Sequence, residues 1–317
     1  RGAGGEAASP VVALAIINTP FGYNTATMTL LALALVLASA FAHATWNYLA
    51  KSSRDTYAFT WGFTVIASVV YLPIAIAIAW SRPPPPGALI FIAVTVGLHV
   101  VYFGLLNASY ARSDLSVVYP VARGTGIMLI PLGAVLILGE HVSAYGAVSI
   151  AIIVVGVLGV HSRGTGRSAI RGLIHSLTEP GSRLAALTGV IIASYSLWDK
   201  NALSYLSPIV LDTGIFVGQA LINAPVMLRW RRPMVIREIR ERPVALLAAG
   251  ILSPLAYLLV LTALTFSPVA YIAPTREIGI VIGTLLGART LKEPYPANRL
   301  VASALIVLGV FGLALSP

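Results

Sequence analysis

Long apolar runs recur along the chain from residue 28 to its end, separated by short polar connections. A run of about 20 apolar residues is long enough to cross the hydrocarbon core of a bilayer as a helix. A helix satisfies its own backbone hydrogen bonds, which lipid cannot do for it. We therefore predict an all-α integral membrane protein with ten transmembrane helices. The predicted spans are 28–50, 57–80, 88–109, 115–138, 142–161, 184–204, 208–228, 243–264, 268–289 and 297–315.

Composition argues against a soluble protein and against a nucleic-acid-binding one. Of the 317 residues, 57% are hydrophobic and only 10% are charged, whereas soluble domains carry about 25% charged residues. The formal net charge of +10 does not indicate nucleic-acid binding, because the basic residues lie between the apolar runs. The chain has no cysteine, so disulfides and cysteine-based metal or redox sites are excluded. We expect no metal and no cofactor, and the lipid bilayer is the expected surroundings.

Basic residues also predict the orientation of the chain. Connections after odd-numbered spans carry lysine and arginine, including the arginine-rich segments 162–183 and 229–242, whereas those after even-numbered spans carry only Arg82. Because basic loops stay in the cytoplasm, both termini are expected outside. Residues 1–27 are interpreted as an N-terminal extension or a segment added for expression, since their apolar piece is too short to span.

An internal repeat relates the two halves of the chain. Glu140 and Glu293 are 153 positions apart, as are Arg123 and Arg276, and the glycine-rich fifth and tenth spans align in the same register. Repeats of this length indicate a duplicated architecture.

The repeat predicts both the domain organisation and a mechanism. The first five-helix repeat would cover 28–161, a cytoplasmic linker 162–183, and the second five-helix repeat 184–317. Because five is odd, the second repeat must enter the membrane from the opposite side. Such inverted repeats surround a central cavity near the bilayer midplane and support alternating access.

These features resemble a known group of proteins. Each half has a fourth span ending in LGE (138–140) or LKE (291–293), followed by a glycine-rich fifth span. This pattern is similar to the drug/metabolite transporter superfamily, and most similar to its ten-span EamA branch, which includes YddG-type amino acid exporters. The resemblance implies a secondary exporter of small metabolites in a bacterial-type inner membrane, with a cavity lined mainly by spans 1, 3, 4, 6, 8 and 9.

The sequence departs from the small multidrug relatives in the first span. Those relatives carry an essential glutamate there, whereas this chain offers His43, Trp46 and Asn47. Proton-coupled export of cationic drugs is therefore not implied by the resemblance.

Charged residues inside spans are the strongest candidates for a site, because burying a charge in a membrane is costly. The candidates are Arg123, Asp199, Lys200, Arg276 and Glu277, which amount to three cations and two anions. We hypothesise that Arg123 attracts an anionic group such as a substrate carboxylate. The alternative is structural: Arg123 pairs across helices with Asp199 or Glu277, or bonds to backbone carbonyls.

Polar and aromatic residues complete the predicted binding site. Trp46 and Trp198 could instead anchor helices at the membrane interface, and His43 could simply bond to a neighbouring helix. Glu277 and His43 are the candidates for coupling transport to protons. The full predicted substrate-binding set is His43, Trp46, Asn47, Tyr102, Tyr119, Arg123, Tyr195, Trp198, Asp199, Tyr257 and Arg276.

No motif indicates an enzyme, since neither a metalloprotease, a phosphate-binding loop nor a nucleophile-elbow signature is present. We predict a transporter of small metabolites, which the resemblance indicates to be amino acids, acting as a monomer or homodimer. An exchanger of organic phosphates or nucleotide-sugars is one alternative, which two repeat-related arginines could also serve. A membrane-embedded lipid-modifying enzyme is the alternative from another class.

Overall fold

The computed structural model describes residues 27–113, 115–161, 180–282, 285 and 297–316. Within those residues the regular structure is entirely α-helical. A further helical stretch at 278–282 follows α10. The helices are α1 (Leu30–Lys51), α2 (Thr56–Ser81), α3 (Leu89–Tyr110), α4 (Leu115–Leu138), α5 (Ala144–His161), α6 (Pro180–Ala202), α7 (Pro208–Trp230), α8 (Arg232–Glu241), α9 (Pro243–Leu264), α10 (Val269–Thr275) and α11 (Ala297–Ala314).

Six of these helices are long and apolar enough to cross a membrane: α1, α2, α3, most of α4, α7 and α9. Shorter apolar helices occur at Ala144–Val160 within α5 and at Arg299–Ala314 within α11. The prediction of an all-helical protein with several membrane spans is confirmed. The count of ten spans stays a prediction.

Two of the basic connections contain helical residues that the predicted spans leave out. Helix α6 begins at Pro180, so the last residues of the predicted linker 162–183 are helical. The connection at 229–242 contains α8, a ten-residue helix with Pro233 in its first turn. Proline is favourable there because the first helical residues need no N–H donor. Residues 1–26, 162–179 and Glu293 lie outside the described part of the chain.

Helix α8 holds the turn between α1 and α2. One carboxylate oxygen of Glu238 accepts hydrogen bonds from the backbone N–H groups of Arg54 and Asp55, both at 2.9 Å. Asp55 in turn caps α2 through the N–H of Ala58 at 3.0 Å. The other carboxylate oxygen of Asp55 accepts a hydrogen bond from the Arg231 guanidinium at 2.8 Å. This end of the bundle is therefore tied together by buried or half-buried polar contacts.

Glycines allow four helices to approach closely in two matching pairs. Gly62 of α2 faces Leu246 of α9, where a Cβ would stand 3.0 Å from the leucine Cδ2. Gly214 of α7 faces Ile92 of α3, where a Cβ would stand 2.7 Å from the isoleucine Cγ2. The glycines are 152 positions apart (62 and 214), and their partners 154 apart (92 and 246).

A second reciprocal contact joins α5 to α11. A Cβ on Gly156 would stand 2.9 Å from the carbonyl oxygen of Ala302, and one on Gly309 would stand 2.8 Å from that of Ser149. Gly156 and Gly309 are 153 positions apart, as are Ser149 and Ala302. Helices α5 and α11 therefore contact each other through positions that are equivalent in the two repeats of the sequence.

The ninth predicted span is not a continuous helix, and the prediction of one helix over 268–289 is wrong on this point. Helix α10 ends at Thr275, and residues 276 and 277 form a turn before helical structure resumes at 278. In this turn the N–H of Glu277 bonds to the carbonyl of Pro274 at 3.1 Å, three residues back rather than four. Pro274 lacks an N–H donor and its ring crowds the preceding turn, which favours a break here.

The beginning of α10 is capped from another helix. The two carboxylate oxygens of Glu140, which follows α4, accept hydrogen bonds from the backbone N–H groups of Val269 and Ala270 at 2.9 and 3.0 Å. Helix N-termini carry unpaired N–H groups and a partial positive charge, so a buried carboxylate is stabilised there. This cap accounts for Glu140 without a role in substrate binding.

Candidate functional site

An ion pair joins α4 to the break after α10. The Nε of Arg123 donates to one oxygen of Glu277 at 3.2 Å, and Nη2 donates to the other. The Glu277 side chain is only 2% exposed and that of Arg123 is 21% exposed. The pairing that we considered as the structural alternative for Arg123 is therefore present. A two-point contact of this kind fixes both side chains and neutralises both charges.

Arg276 is adjacent to this pair but is differently placed. Its guanidinium lies 5.5 Å from the centroid of the Tyr257 ring, in a cation–π contact. Among the described residues, no carboxylate forms a salt bridge with it. It lines a small cavity inside the bundle. The lining residues are Arg123, Ile127, Ile130, Ile192, Tyr195, Ser196, Ala273, Arg276 and Glu277.

Asp199 lies on the other side of Tyr257. The Tyr257 hydroxyl donates to Oδ2 of Asp199 at 2.5 Å. Oδ1 of Asp199 has no hydrogen-bond partner within the described part of the chain, although the residue is fully buried. Tyr257 thus lies between the two charged residues: its ring face contacts Arg276, and its hydroxyl contacts Asp199.

Aromatic rings from α3 and α6 form one wall near these charges. The His99 ring stacks on Tyr195 with centroids 4.4 Å apart, and the Tyr102 ring meets Tyr195 edge-on at 6.1 Å. Tyr102 and Tyr119 both lie within electrostatic range of Arg123. The structure therefore brings these three predicted tyrosines to the same side as Arg123.

Helix α1 contributes His43 to the same region. The His43 side chain is exposed, and it lies within electrostatic range of both Arg276 and Arg123. Its ring meets Trp46 edge-on, with centroids 5.1 Å apart. Trp46 also packs against Phe63 of α2. The Asn47 amide donates to the His43 carbonyl at 2.8 Å, which is a contact within α1.

Trp198 and Lys200 make contacts outside the arginine region. The indole N–H of Trp198 donates to the Phe91 carbonyl at 3.0 Å, and the two rings are 5.1 Å apart, so Trp198 packs on α3. The Lys200 Nζ donates to the carbonyls of Leu264 and Ser267 at 2.6 and 3.0 Å. Lys200 therefore satisfies the carbonyls at the end of α9.

Two polar residues inside the bundle were not among the predicted site residues, one of them half-buried and the other fully buried. His99 in α3 stacks on the predicted site residue Tyr195, and Asp212 in α7 is fully buried. Both lie inside predicted spans, and the rule that selected Arg123 and Asp199 applies equally to them. Asp212 could have been found from the sequence, because it is an acidic residue five positions into an apolar run.

The fold and the charged cavity describe a multi-pass helical membrane protein with ionisable groups inside the bundle. Residues 180–315, nearly the same stretch as the predicted second repeat, match the model of the EamA-like transporter family. This match supports a relationship to the drug/metabolite transporter superfamily.

Solved structures show the same fold. Of 29 matching chains, one described only as the crystal structure of a protein is 18% identical to this chain. Its superposition covers 90% of this chain and 96% of the other, with a TM-score of 0.68. At this identity the likeness concerns the fold alone. No curated protein matches the chain.

Proposed function

We propose that the chain is a secondary transporter that exports a small metabolite bearing a carboxylate, with an amino acid as the best-fitting class. The membrane-spanning helices and the match of residues 180–315 to a transporter family support membrane transport of small substrates. The substrate class rests on the charges around the cavity.

The observation that carries the proposal is the contrast between the two arginines. Arg123 is neutralised by Glu277, whereas Arg276 lines the same cavity and forms no salt bridge with any described carboxylate, Asp199 being within electrostatic range only. A guanidinium inside a membrane bundle needs an anion or water to offset its burial. A substrate carboxylate would supply that anion through a charge-assisted, two-point contact. The role first assigned to Arg123 is therefore better suited to Arg276.

The surroundings of Arg276 favour a small amphipathic solute. The faces of Tyr195 and Tyr257 and the apolar side chains of Ile127 and Ile130 lie around the charged groups. Organic phosphates and nucleotide-sugars carry more negative charge and would need several free cations. Because Glu277 occupies Arg123, this alternative is less well supported.

Inverted repeats remain part of the proposal, and the reciprocal glycine contacts support them. Gly62 of α2 meets Leu246 of α9 just as Gly214 of α7 meets Ile92 of α3. Helices α1 with α9 and α3 with α6 pack in corresponding pairs as well. A two-fold axis between the halves would bring equivalent positions into contact in this exchanged order, so these contacts support the proposed repeats.

Alternating access is the mechanism that we propose for such an arrangement. In inverted-repeat transporters the site lies at the interface of the repeats, where broken helices present backbone and side-chain groups to the substrate. The turn at residues 276 and 277 is a break of this kind and carries both Arg276 and Glu277. We infer that movement about this turn opens the cavity to one side at a time. A location in a bacterial-type inner membrane, with both termini outside, completes the proposal.

The experiment is uptake by the purified protein reconstituted into lipid vesicles. Labelled leucine, threonine and glutamate would be compared with glucose 6-phosphate and a cationic dye. Saturable uptake of an amino acid is expected, and uptake of the phosphate alone would reject the assigned class. Uptake of none of these probes would count against the transporter itself.

The matched variants are Arg276→Gln, inside the cavity, and Arg240→Gln, on the exposed face of α8. Loss of a charge-assisted hydrogen bond costs about 1.5–3 kcal/mol, so Arg276→Gln should weaken apparent affinity roughly tenfold to a hundredfold. Arg240→Gln should transport as the original chain does. Equal uptake by all three proteins would show that Arg276 does not bind the carboxylate.

A further inference from the structure

Asp212 is a buried acidic group that the proposed transport site does not use. It lies in α7, is 0% exposed, and neither of its carboxylate oxygens has a hydrogen-bond partner in the described part of the chain. No salt bridge reaches it from any described arginine or lysine. Burying an ionised carboxylate without a partner is very costly, and such groups take up a proton instead.

A second carboxylate, that of Asp199, lies at the same end of the bundle. Asp199 is three residues before the end of α6, and Asp212 is four residues after the beginning of α7. At about 1.5 Å per residue, each lies roughly one turn from the connection between these helices. The two charges lie within electrostatic range of each other. Two buried carboxylates at close range are not both ionised without a large penalty.

The groups that face Asp212 from neighbouring helices supply no compensating cation. Helix α2 contributes Tyr71, whose hydroxyl is already bonded to the Ile251 carbonyl of α9 at 3.0 Å. Helix α6 contributes Asp199, and behind it stand His99 of α3 and Tyr257 of α9. Lys200 is next to Asp199 in sequence, but its ammonium group bonds to carbonyls at the end of α9.

We propose that Asp212 is a proton-binding site and that the proton is the coupling ion of this transporter. The inference rests on the proposed function. Asp212 holds one proton in the described conformation. It gains that proton from the side of lower pH, and it loses the proton when water reaches it from the other side. No further reactant is needed, since the carboxylate and the carboxylic acid are the only two states.

Asp199 and Tyr257 connect this site to the cavity. The Tyr257 hydroxyl donates a hydrogen bond to Asp199, and the guanidinium of Arg276 lies over the Tyr257 ring. A change of charge at Asp212 therefore acts on Asp199, and through Tyr257 on the group that we assign to the substrate carboxylate. Glu277, one of the predicted coupling candidates, is bonded to Arg123 at two points, so the proposal does not use it.

Infrared spectroscopy of the full chain in lipid tests the proton site without any substrate. A protonated carboxylic acid has a C=O stretching band distinct from that of a carboxylate. The original chain is expected to show a band at neutral pH that Asp212→Asn removes and Asp212→Glu shifts. Glu241→Gln, which removes an exposed carboxylate, should leave the band unchanged. Identical spectra for the original chain and Asp212→Asn would overturn the proposal.

Vesicle transport tests the coupling. Exchange of labelled leucine or threonine at equal pH does not require net proton movement, whereas accumulation against a gradient does. Asp212→Asn should keep exchange and lose accumulation driven by a pH gradient, and Asp212→Glu should keep both. Absence of exchange in the original chain would count against the proposed transporter, while exchange with no response to a pH gradient would overturn proton coupling alone.

Discussion

Arg123 and Glu277 are joined by two hydrogen bonds that connect α4 to the turn following α10. Each residue therefore satisfies the charge of the other inside the bundle. Breaking a buried ion pair by removing one partner leaves an uncompensated charge, which costs about 3–5 kcal/mol. The pair is consequently a strong candidate for a structural contact, and Arg276 is the arginine left available to the cavity.

The first prediction concerns that pair. Arg123→Gln and Glu277→Gln should each lower the thermal stability of the protein in detergent, and the double variant should recover most of the loss. The physical reason is that the double variant leaves no lone charge behind. The exposed pair Arg237 and Glu241 is the control, and its removal should change the melting temperature little. Strictly additive losses at Arg123 and Glu277 would contradict the pairing.

A second prediction tests carboxylate recognition from the side of the substrate. Leucine should compete for uptake of labelled leucine, whereas leucinamide, which has no carboxylate, should compete at least roughly tenfold less well. In Arg276→Gln this difference should disappear, because the group that distinguishes the two compounds is gone. The measurement is competition in vesicles, and equal competition in the original chain would reject the contact.

The hydroxyl of Tyr257 provides a third prediction. Tyr257→Phe keeps the ring under Arg276 but removes the hydrogen bond that the hydroxyl donates to the buried Asp199 carboxylate. Leaving a buried acceptor unsatisfied costs about 1–3 kcal/mol, so the melting temperature should fall. Tyr205→Phe removes an exposed hydroxyl and should be nearly neutral. No difference between the two variants would show that the Asp199 contact adds no stability.

The close contact between α5 and α11 gives a fourth prediction. At Gly156 an added Cβ would meet backbone atoms of Ala302 and Ile306 at 2.9 and 3.0 Å, so Gly156→Ala should destabilise the protein by about 1–3 kcal/mol. At Gly97 of α3 there is nothing within 4 Å of an added Cβ. Gly97→Ala should be neutral or stabilising by up to about 1 kcal/mol. Thermal unfolding of the two variants distinguishes these outcomes.

Much of the fold could be predicted from the sequence, because an apolar run of sufficient length directly indicates a membrane helix. The limits of α1, α2, α3 and α9 lie close to the predicted spans. Helix α8 was missed because ten residues rich in arginine read as a basic connection. The break after α10 was missed because Pro274 permits both a kinked and an interrupted helix.

The charged residues inside the spans could be singled out from the sequence, but the way they pair could not, and the substrate-binding set stays a prediction. The sequence indicated one excess cation among five charged residues, which does not say which arginine is paired. Arg276 and Glu277 are neighbours whose side chains point about 100° apart on a helix. Which of them meets Arg123 depends on the rotation of α10 and on the turn after it, and neither can be read from spacing.

The cap that Glu140 places on α10 has a mechanical consequence. The carboxylate of Glu140 accepts hydrogen bonds from the N–H groups of Val269 and Ala270. The end of α4 is therefore attached to the beginning of α10. The turn at residues 276 and 277 is the first place along α10 where the backbone departs from regular helix. Glu140 and Arg123 therefore attach α4 to this segment at two points, one at the beginning of α10 and one in the turn that carries Arg276.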